Sequence, residues 1–161
     1  ADGALPSLLA RFLVHYEGEP VLLTRPYPGV ADTLAALRAA GHRMAVCTNK
    51  PDAPSHAVLA ALGLAPCFDA VVGGDAAPAR KPDPRHLEAA LAGLGAAASD
   101  AVMIGDGIND LLVAAAAGVP AIHARYGYGL RGEPAIAPLA VIDRFEALPD
   151  ALARLDGPAR V

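Results

Sequence analysis

Four polar residues in this sequence carry groups that can act together on a phosphorylated molecule: the hydroxyl of Thr48, the amine of Lys81 and the carboxylates of Asp106 and Asp110. A hydroxyl and the backbone amides at a helix start donate hydrogen bonds to phosphate oxygens, and a lysine supplies a compact positive charge. Carboxylates are hard oxygen ligands of the kind that Mg2+ prefers. The set therefore predicts a site for a phosphoryl group and a divalent cation, where positioning and charge neutralisation would provide most of the catalysis.

Each of these residues also has a simpler structural explanation to weigh. Thr48 could end a strand and cap a helix, Lys81 could be a solvated surface lysine, and Asp110 could be an ordinary residue of a first helical turn. Asp106 has fewer such explanations, because a carboxylate directly after an apolar run is rarely needed for packing. The surrounding sequence favours the functional interpretation: Thr48 precedes Asn-Lys-Pro, Lys81 begins Lys-Pro-Asp-Pro, and the two aspartates lie in Gly-Asp-Gly-Ile-Asn-Asp.

The spacing of apolar residues predicts the elements that would position this chemistry. Short apolar runs predict strands at 44–47, 70–72, 101–104, 121–123 and 140–142, and helical periodicity predicts helices at 6–16, 30–40, 55–62, 85–94, 109–117 and 145–155. This alternation predicts an α/β fold, a parallel sheet with helices on both faces. Ligands of such sheets bind beyond the carboxyl ends of the strands, which is where Thr48 and Asp106 are predicted to stand.

Composition excludes several classes of partner. With 161 residues, 54% apolar and 19% charged, the chain is long enough for one core, and its net charge of −4 gives no basic surface for nucleic acid. The longest apolar stretch, 111–122, is shorter than the roughly 18 residues that a spanning helix needs, so no membrane association is expected. No secretory signal is recognisable, and a cytoplasmic location is the expectation. Oligomeric state has no signal in the sequence.

Cysteine and histidine show no ligand spacing. Cys47 and Cys67 belong to no Cys-x-x-Cys or Cys/His motif and are predicted to be reduced core thiols. The histidines are predicted to be surface or packing residues; they are His15, His42, His56, His86 and His123.

The motifs together resemble those of the haloacid dehalogenase superfamily. The strings VCTNKP at 46–51, RKPDP at 80–84 and GDGIND at 105–110 are similar, in this order, to its second, third and fourth motifs. Within that superfamily, TNKP, the Gly-Gly-Asp at 73–75 and the YGYG at 126–129 are similar to the phosphoglycolate phosphatases. The resemblance implies a HAD-like Rossmannoid core and Mg2+-dependent hydrolysis of a small phosphorylated metabolite, 2-phosphoglycolate first, through an aspartyl-phosphate intermediate.

The resemblance also assigns roles to residues. It implies that Thr48 and Lys81 are catalytic and bind phosphate, with help from the backbone of Asn49. It implies that Asp106 ligates Mg2+ and that Asp110 supports the metal or orients Lys81. Other residues remain candidates without an assigned role: Tyr126 and Tyr128 for a substrate loop, and Arg125 and Arg131 for a substrate carboxylate.

The first motif of the superfamily, a DxDGT string that supplies the nucleophile, has no counterpart in this sequence. Residues 1–24, with Asp2, are therefore expected to be a remnant of an α-helical cap and its linker, and 25–161 the core. That core is expected to lack its first strand, which in the family lies centrally between the strands ending at Thr48 and Ile104. We accordingly expect the chain to be the carboxyl-terminal part of a longer protein and inactive alone; the apolar stretch 21–24 is the hypothetical occupant of the vacant position.

Two alternatives remain open at this stage. The chain could be a noncatalytic relic that binds phosphate or a partner through the remaining residues. It could also catalyse another reaction of the superfamily: that of a sugar-phosphate phosphatase, that of a sugar-phosphate mutase, or carbon–halogen hydrolysis. Lys81 and Asp106 suit phosphate better than halide, which ranks these reactions below a phosphatase.

Overall fold

The computed structural model describes residues 21–129 and 136–155, and the helix predicted at 6–16, Asp2 and Arg131 lie outside this part. Helices and strands alternate through the described part as the apolar spacing predicts. In chain order they are α1 Val30–Ala39, β1 Ala45–Cys47, α2 Asp52–Ala61, β2 Ala70–Val72, α3 Pro84–Leu94, β3 Met103–Gly105, α4 Ile108–Ala116, β4 Ala121–Ala124, β5 Ala140–Ile142 and α5 Leu148–Ala153. Short 3-10 turns stand at Ala65–Cys67, Ala98–Asp100 and Phe145–Ala147.

All strand pairs are parallel, but they form two separate groups. β1 pairs with β2, with Val46 opposite Val71, and β3, β4 and β5 pair in that order, with Gly105 opposite His123. The α/β class and the parallel pairing are thus confirmed. β3 begins two residues later than predicted, because the turn at Ala98–Asp100 precedes it and Met103 is the residue whose amide reaches Pro120 O at 2.9 Å.

The helices cover both faces of the three-stranded group. One core cluster contains Leu37 of α1 and Leu148 of α5 with Ile122 of β4, and the other contains Leu87 of α3 and Val113 of α4. Since successive strand residues point to opposite faces, β4 sends Ile122 and Ala124 into the first cluster. No helix of the described residues is both long and apolar enough to cross a bilayer.

A cleft separates β1 from β3, and no strand of the described residues lies between them. It has a volume of about 730 Å3 and is lined by both strands and by apolar side chains of α1, α3 and α5. The amide of Thr48 bonds to Val72 O and the carbonyl of Met44 accepts from Asp69, so the intervening residues Ala45 and Cys47 turn their backbone groups toward the cleft. The geometry matches the position predicted for an absent central strand.

The hypothesis that 21–24 fills this position is wrong. Leu22 and Leu23 are 64% and 92% exposed, and residues 21–23 form a turn rather than a strand. The turn is closed by a hydrogen bond of 3.2 Å from the amide of Thr24 to Val21 O. Apolar composition alone therefore gave the wrong location, since the segment pairs with none of the strands in residues 21–129 and 136–155.

Candidate active site

The side chain of Lys81 spans the rim of the cleft between β1 and α4. Its ammonium group donates to Cys47 O at 2.6 Å and to Asp110 Oδ1 at 2.7 Å. Only 10% of the Lys81 side chain and 12% of the Asp110 side chain are exposed. A lysine buried to this degree needs such partners, because an unpaired buried charge costs several kcal/mol.

The backbone of Lys81 is held as firmly as its side chain. The Asn49 side chain donates to Lys81 O and accepts from Lys81 N, both at 2.9 Å. The fully buried His86 accepts from the same amide through Nδ1 at 3.1 Å, and its Nε2 lies 3.2 Å from Val72 O. Because a carbonyl oxygen only accepts, His86 carries its proton on Nε2. These contacts fix Lys81 against the carboxyl ends of β1 and β2.

His86 is a packing residue, as the sequence predicted, but its contact with Lys81 was missed. It stands in the first turn of α3, five residues after Lys81, and the intervening segment contains two prolines. That short, stiff connection is the signal that could have placed the imidazole beside the lysine backbone.

Thr48 directly follows β1 and keeps its hydroxyl beside the loop that follows. Thr48 Oγ1 accepts from the amide of Lys50 at 3.2 Å, and Gly74 donates to Lys50 O at 2.8 Å. A Cβ on Gly74 would overlap the carbonyl of Asn49, so glycine is required for this approach. The loop after β1 is thereby fixed by the loop after β2.

The Gly-Gly-Asp sequence at 73–75 secures the start of α2. Asp75 Oδ1 accepts from the amide of Asp52, the first residue of the helix, at 2.7 Å, and Asp52 Oδ1 accepts from the amide of Gly73 at 2.9 Å. A carboxylate at a helix N-terminus satisfies a free amide and complements the helix dipole. The sequence predicted that this helix begins near Ser55. The carboxylate contacts explain why α2 begins at Asp52 instead.

The two aspartates after β3 are held in different ways. Asp106 Oδ2 accepts from the amides of Tyr128 and Gly129 at 2.8 and 2.9 Å. Asp110 is buried; its Oδ1 pairs with Lys81 and its Oδ2 accepts from the amide of Gly107 at 2.9 Å. Asp110 is thus a link between Lys81 and the backbone beside Asp106.

These contacts bring the predicted residues to one rim. Lys81 bonds to the residue before Thr48 and to Asp110, and Asp110 bonds to the residue after Asp106. Hydroxyl, ammonium and carboxylate therefore converge where the strands β1 and β3 end.

The donor set suits a divalent cation at Asp106 better than at Asp110. Asp106 Oδ1 receives no hydrogen bond from residues 21–129 or 136–155, whereas each oxygen of Asp110 has a donor. No group of three or more His, Cys, Asp or Glu side chains within those ranges is arranged to hold a metal ion. A single carboxylate still fits Mg2+, which keeps several waters and shares oxygens with a substrate phosphate.

Charge and burial around the site shift the titration of neighbouring groups. The pKa of the Cys47 thiol is raised, mainly by burial. The positive charge of Lys81 acts to lower this pKa and the negative charge of Asp110 acts to raise it. Burial also raises the pKa of Tyr126, with a further contribution from the negative charge of Asp106. Cys47 and Cys67 are free thiols, as predicted, but both are only partly buried and neither is a core residue.

Arg125 does not join this group. Its guanidinium pairs with Asp143 at 2.7 Å, and both side chains are mostly exposed. An exposed pair of this kind contributes little to stability, and Asp143 is the side-chain partner of this guanidinium among the described residues.

The chain is similar in sequence to proteins of one family. The family model described as haloacid dehalogenase-like hydrolase matches residues 4–118. A phosphoglycolate phosphatase of Rhodospirillum rubrum is 46% identical over 149 residues, which cover 92% of this chain and 62% of that protein. The chain thus spans about six tenths of the length of this curated relative.

Two solved structures have the same architecture. A predicted phosphoglycolate phosphatase from Haemophilus somnus 129pt superposes with a TM-score of 0.82 at 30% identity, covering 89% of this chain and 64% of that one. CbbY from Rhodobacter sphaeroides in complex with phosphate superposes with a TM-score of 0.68 at 31% identity, covering 76% and 55%.

Proposed function

Since the chain belongs to the haloacid dehalogenase-like hydrolases, we propose that the whole protein is an Mg2+-dependent phosphatase of small phosphomonoesters, with 2-phosphoglycolate as the first candidate substrate. The observation that carries the proposal is the bridge from Lys81 to Cys47 O and Asp110 at the rim of the cleft. The bridge holds a buried ammonium group at the rim, where it would face a phosphate. The phosphate complex of the related CbbY supports the same class of ligand.

The residues of this chain would bind and orient the phosphate. The Thr48 hydroxyl and the Asn49 backbone amide would donate hydrogen bonds to the phosphoryl oxygens, and Lys81 would neutralise the charge of these oxygens. Asp110 would orient Lys81, since both of its oxygens already have donors. Asp106 would hold Mg2+, which when bound supplies further positive charge to the phosphoryl group.

The nucleophile belongs to the part of the proposal that concerns the whole protein. By the family resemblance one aspartate of the first motif takes the phosphoryl group while a second, acting as general acid, gives its proton to the departing alcohol oxygen. Water then releases phosphate from the first aspartate and gives a proton back to the second. The sequence contains no DxD string, and the cleft beside Thr48 is where a strand carrying one would lie. We further propose that 1–24 is a cap remnant, that 25–161 is the core, and that the protein is cytoplasmic.

Restoring the upstream sequence tests this function. The extended protein should release phosphate from 2-phosphoglycolate in the presence of Mg2+, and the 161-residue chain should be slower by roughly a millionfold. Lys81→Met in the extended protein is the matched variant for the role of the charge, because it keeps most of the length of the side chain and removes the ammonium group. An extended, folded protein without Mg2+-dependent phosphatase activity would contradict the proposal.

A noncatalytic phosphate-binding protein is the second candidate. It is favoured by the Lys81 network, which holds a buried ammonium group at the rim and could bind a phosphate without turnover. In that case the extended protein would bind inorganic phosphate, detectable by calorimetry and lost in Lys81→Met, yet hydrolyse none of the phosphomonoesters offered.

A further inference from the structure

The loop Tyr126–Gly129, which we call the Tyr-Gly loop, follows β4 and has no role in the chemistry proposed so far. The amide of Gly127 bonds to Ala124 O at 3.1 Å, which turns the chain back beside β3. The next two amides, of Tyr128 and Gly129, then face the carboxylate of Asp106. The loop thus brings backbone donors to an aspartate some twenty residues earlier in the sequence.

Both donors bind the same oxygen. Tyr128 N and Gly129 N lie 2.8 and 2.9 Å from Asp106 Oδ2. Successive backbone amides form a concave site that favours an anion, so the loop supplies a fixed partial positive charge to one side of the carboxylate. Among the described residues nothing donates to Oδ1, and the carboxylate is therefore satisfied unequally.

The glycines of the loop are required by the closeness of this contact. A Cβ on Gly127 would overlap the side chain of Asp106, and a Cβ on Gly129 would lie 2.7 Å from the Cα of Gly107. Gly127 does not have a positive φ, so an alanine there is unfavourable through the contact alone.

Aromatic contacts hold the loop from its other side. The ring of Tyr27, just before α1, packs edge to face against Tyr126 with centroids 4.9 Å apart, and lies 6.2 Å from the ring of Tyr128. Edge-to-face pairs of this kind are favourable. Tyr128 is 91% exposed, so its main fixed contribution to the site is the backbone amide.

We infer that the Tyr-Gly loop is the positioning element of Asp106, whose Oδ2 is held by the amides of Tyr128 and Gly129 so that Oδ1 faces a divalent cation. The cation rests on the proposed function; the positioning of the carboxylate does not. The loop acts through its backbone, and the two glycines allow it to approach.

Amide hydrogen exchange in the 161-residue chain tests the positioning without turnover. Asp106→Ala should speed exchange of the Tyr128 and Gly129 amides by about tenfold or more, the scale of one lost hydrogen bond to a charged group. The amide of Gly127, bonded to Ala124 O, is the internal control and should not change. Asp106→Asn, which keeps a side-chain oxygen as acceptor, should retain much of the protection. Unchanged exchange at 128 and 129 in a folded Asp106→Ala chain would overturn the inference.

Mn2+ titration, followed by broadening of the amide signals near 106, tests the consequence for the cation. Gly127→Ala should weaken Mn2+ binding about tenfold. The new Cβ would displace the Asp106 carboxylate, and Oδ1 would no longer be oriented toward the cation. Gly63→Ala, a glycine outside the loop whose Cβ would meet no atom within 4 Å, is the matched control and should bind as the wild type does. Equal affinities for Gly127→Ala and wild type would contradict the inference. Absence of Mn2+ binding in every chain, with the exchange result intact, would instead remove the cation from both proposals and leave the positioning of Asp106.

Discussion

The Lys81 ammonium and the Asp110 carboxylate form an ion pair of 2.7 Å in which about nine tenths of each side chain is buried. Each partner also has a backbone contact, Lys81 with Cys47 O and Asp110 with the amide of Gly107. The pair therefore connects the strand group of β1 with that of β3 across the cleft. The pair contributes both to the charge at the rim and to the cohesion of the two groups, which apolar packing also joins.

Removing one charge of this pair should destabilise the chain. Lys81→Met leaves a buried carboxylate without its counter-ion and should lower the free energy of unfolding by about 3 kcal/mol. Chemical denaturation with urea measures it. Lys81→Met/Asp110→Asn should be less destabilised than the sum of the single variants, because the double variant leaves no unpaired charge.

Arg85→Met provides the control for the ion-pair experiment. Arg85 and Asp83 lie 2.8 Å apart, but 59% of the arginine side chain is exposed, and solvent screens such a pair. Arg85→Met should therefore lower the free energy of unfolding far less than Lys81→Met does. Comparable losses for the two variants would show that burial does not strengthen the Lys81 pair.

Gly107→Ser should stabilise the chain slightly. Gly107 is the N-cap of α4 with φ −106°, and Asp110 already accepts from its amide. A serine hydroxyl would accept from the amide of Asp110 and complete a capping box, a gain of a few tenths of a kcal/mol. The melting temperature measures it. Gly105→Ala is the contrasting variant: its Cβ would overlap the Asp110 carboxylate, and its melting temperature should fall.

The edge of β1 that faces the cleft should exchange its amide protons quickly. In the 161-residue chain Ala45 and Cys47 direct their amides to the cleft, while Val46 and Thr48 direct theirs to β2. Exchange measured residue by residue should alternate, fast at 45 and 47 and slow at 46 and 48. In the extended protein the alternation should vanish if a strand occupies the cleft. Uniformly slow exchange in the short chain would mean that the edge is already paired.

Asp83 should contribute to the acid sensitivity of the chain. Hydrogen bonds from the side chain and amide of Arg85 lower the pKa of Asp83 from 3.8 to about 2. Because the folded state lowers this pKa, the contribution is present above about pH 4 and is lost as the pH falls toward 2. The difference in melting temperature between wild type and Asp83→Asn should therefore shrink between pH 5 and pH 2.5. A constant difference across this range would assign the effect to something other than the carboxylate charge.

Local sequence was sufficient to predict the strands and helices, but it was insufficient to predict several contacts between residues far apart in the chain. The strands at 70–72 and 140–142 were predicted with their observed bounds, because a short apolar run between turn residues has few other interpretations. The start of α2 was placed late, since the carboxylate that satisfies its first amide comes from Asp75 in a distant loop. Such a cap leaves no signal near the helix itself.

The same distinction applies to the candidate site. Thr48, Lys81, Asp106 and Asp110 were proposed because their motifs lie at strand ends or before a helix start, and the contacts of Lys81 and Asp110 bring them to one rim. The backbone contacts of the Tyr-Gly loop with Asp106 were not foreseen, because backbone donors have no side-chain signature and the contact spans 22 residues. The apolar stretch 21–24 misled for the opposite reason: its composition fits a strand, but none of the strands that the structure describes pairs with it.

The backbone edges that border the cleft bear on solubility. An unpaired strand edge is a template for association with other chains, and natural proteins shield such edges. Here the two edges face each other, and the Lys81 bridge ties the walls together at one end. In a protein that lacks this bridge, the unpaired edges of β1 and β3 would be more accessible to other molecules of the protein. Self-association should therefore appear at lower concentrations than in the wild type.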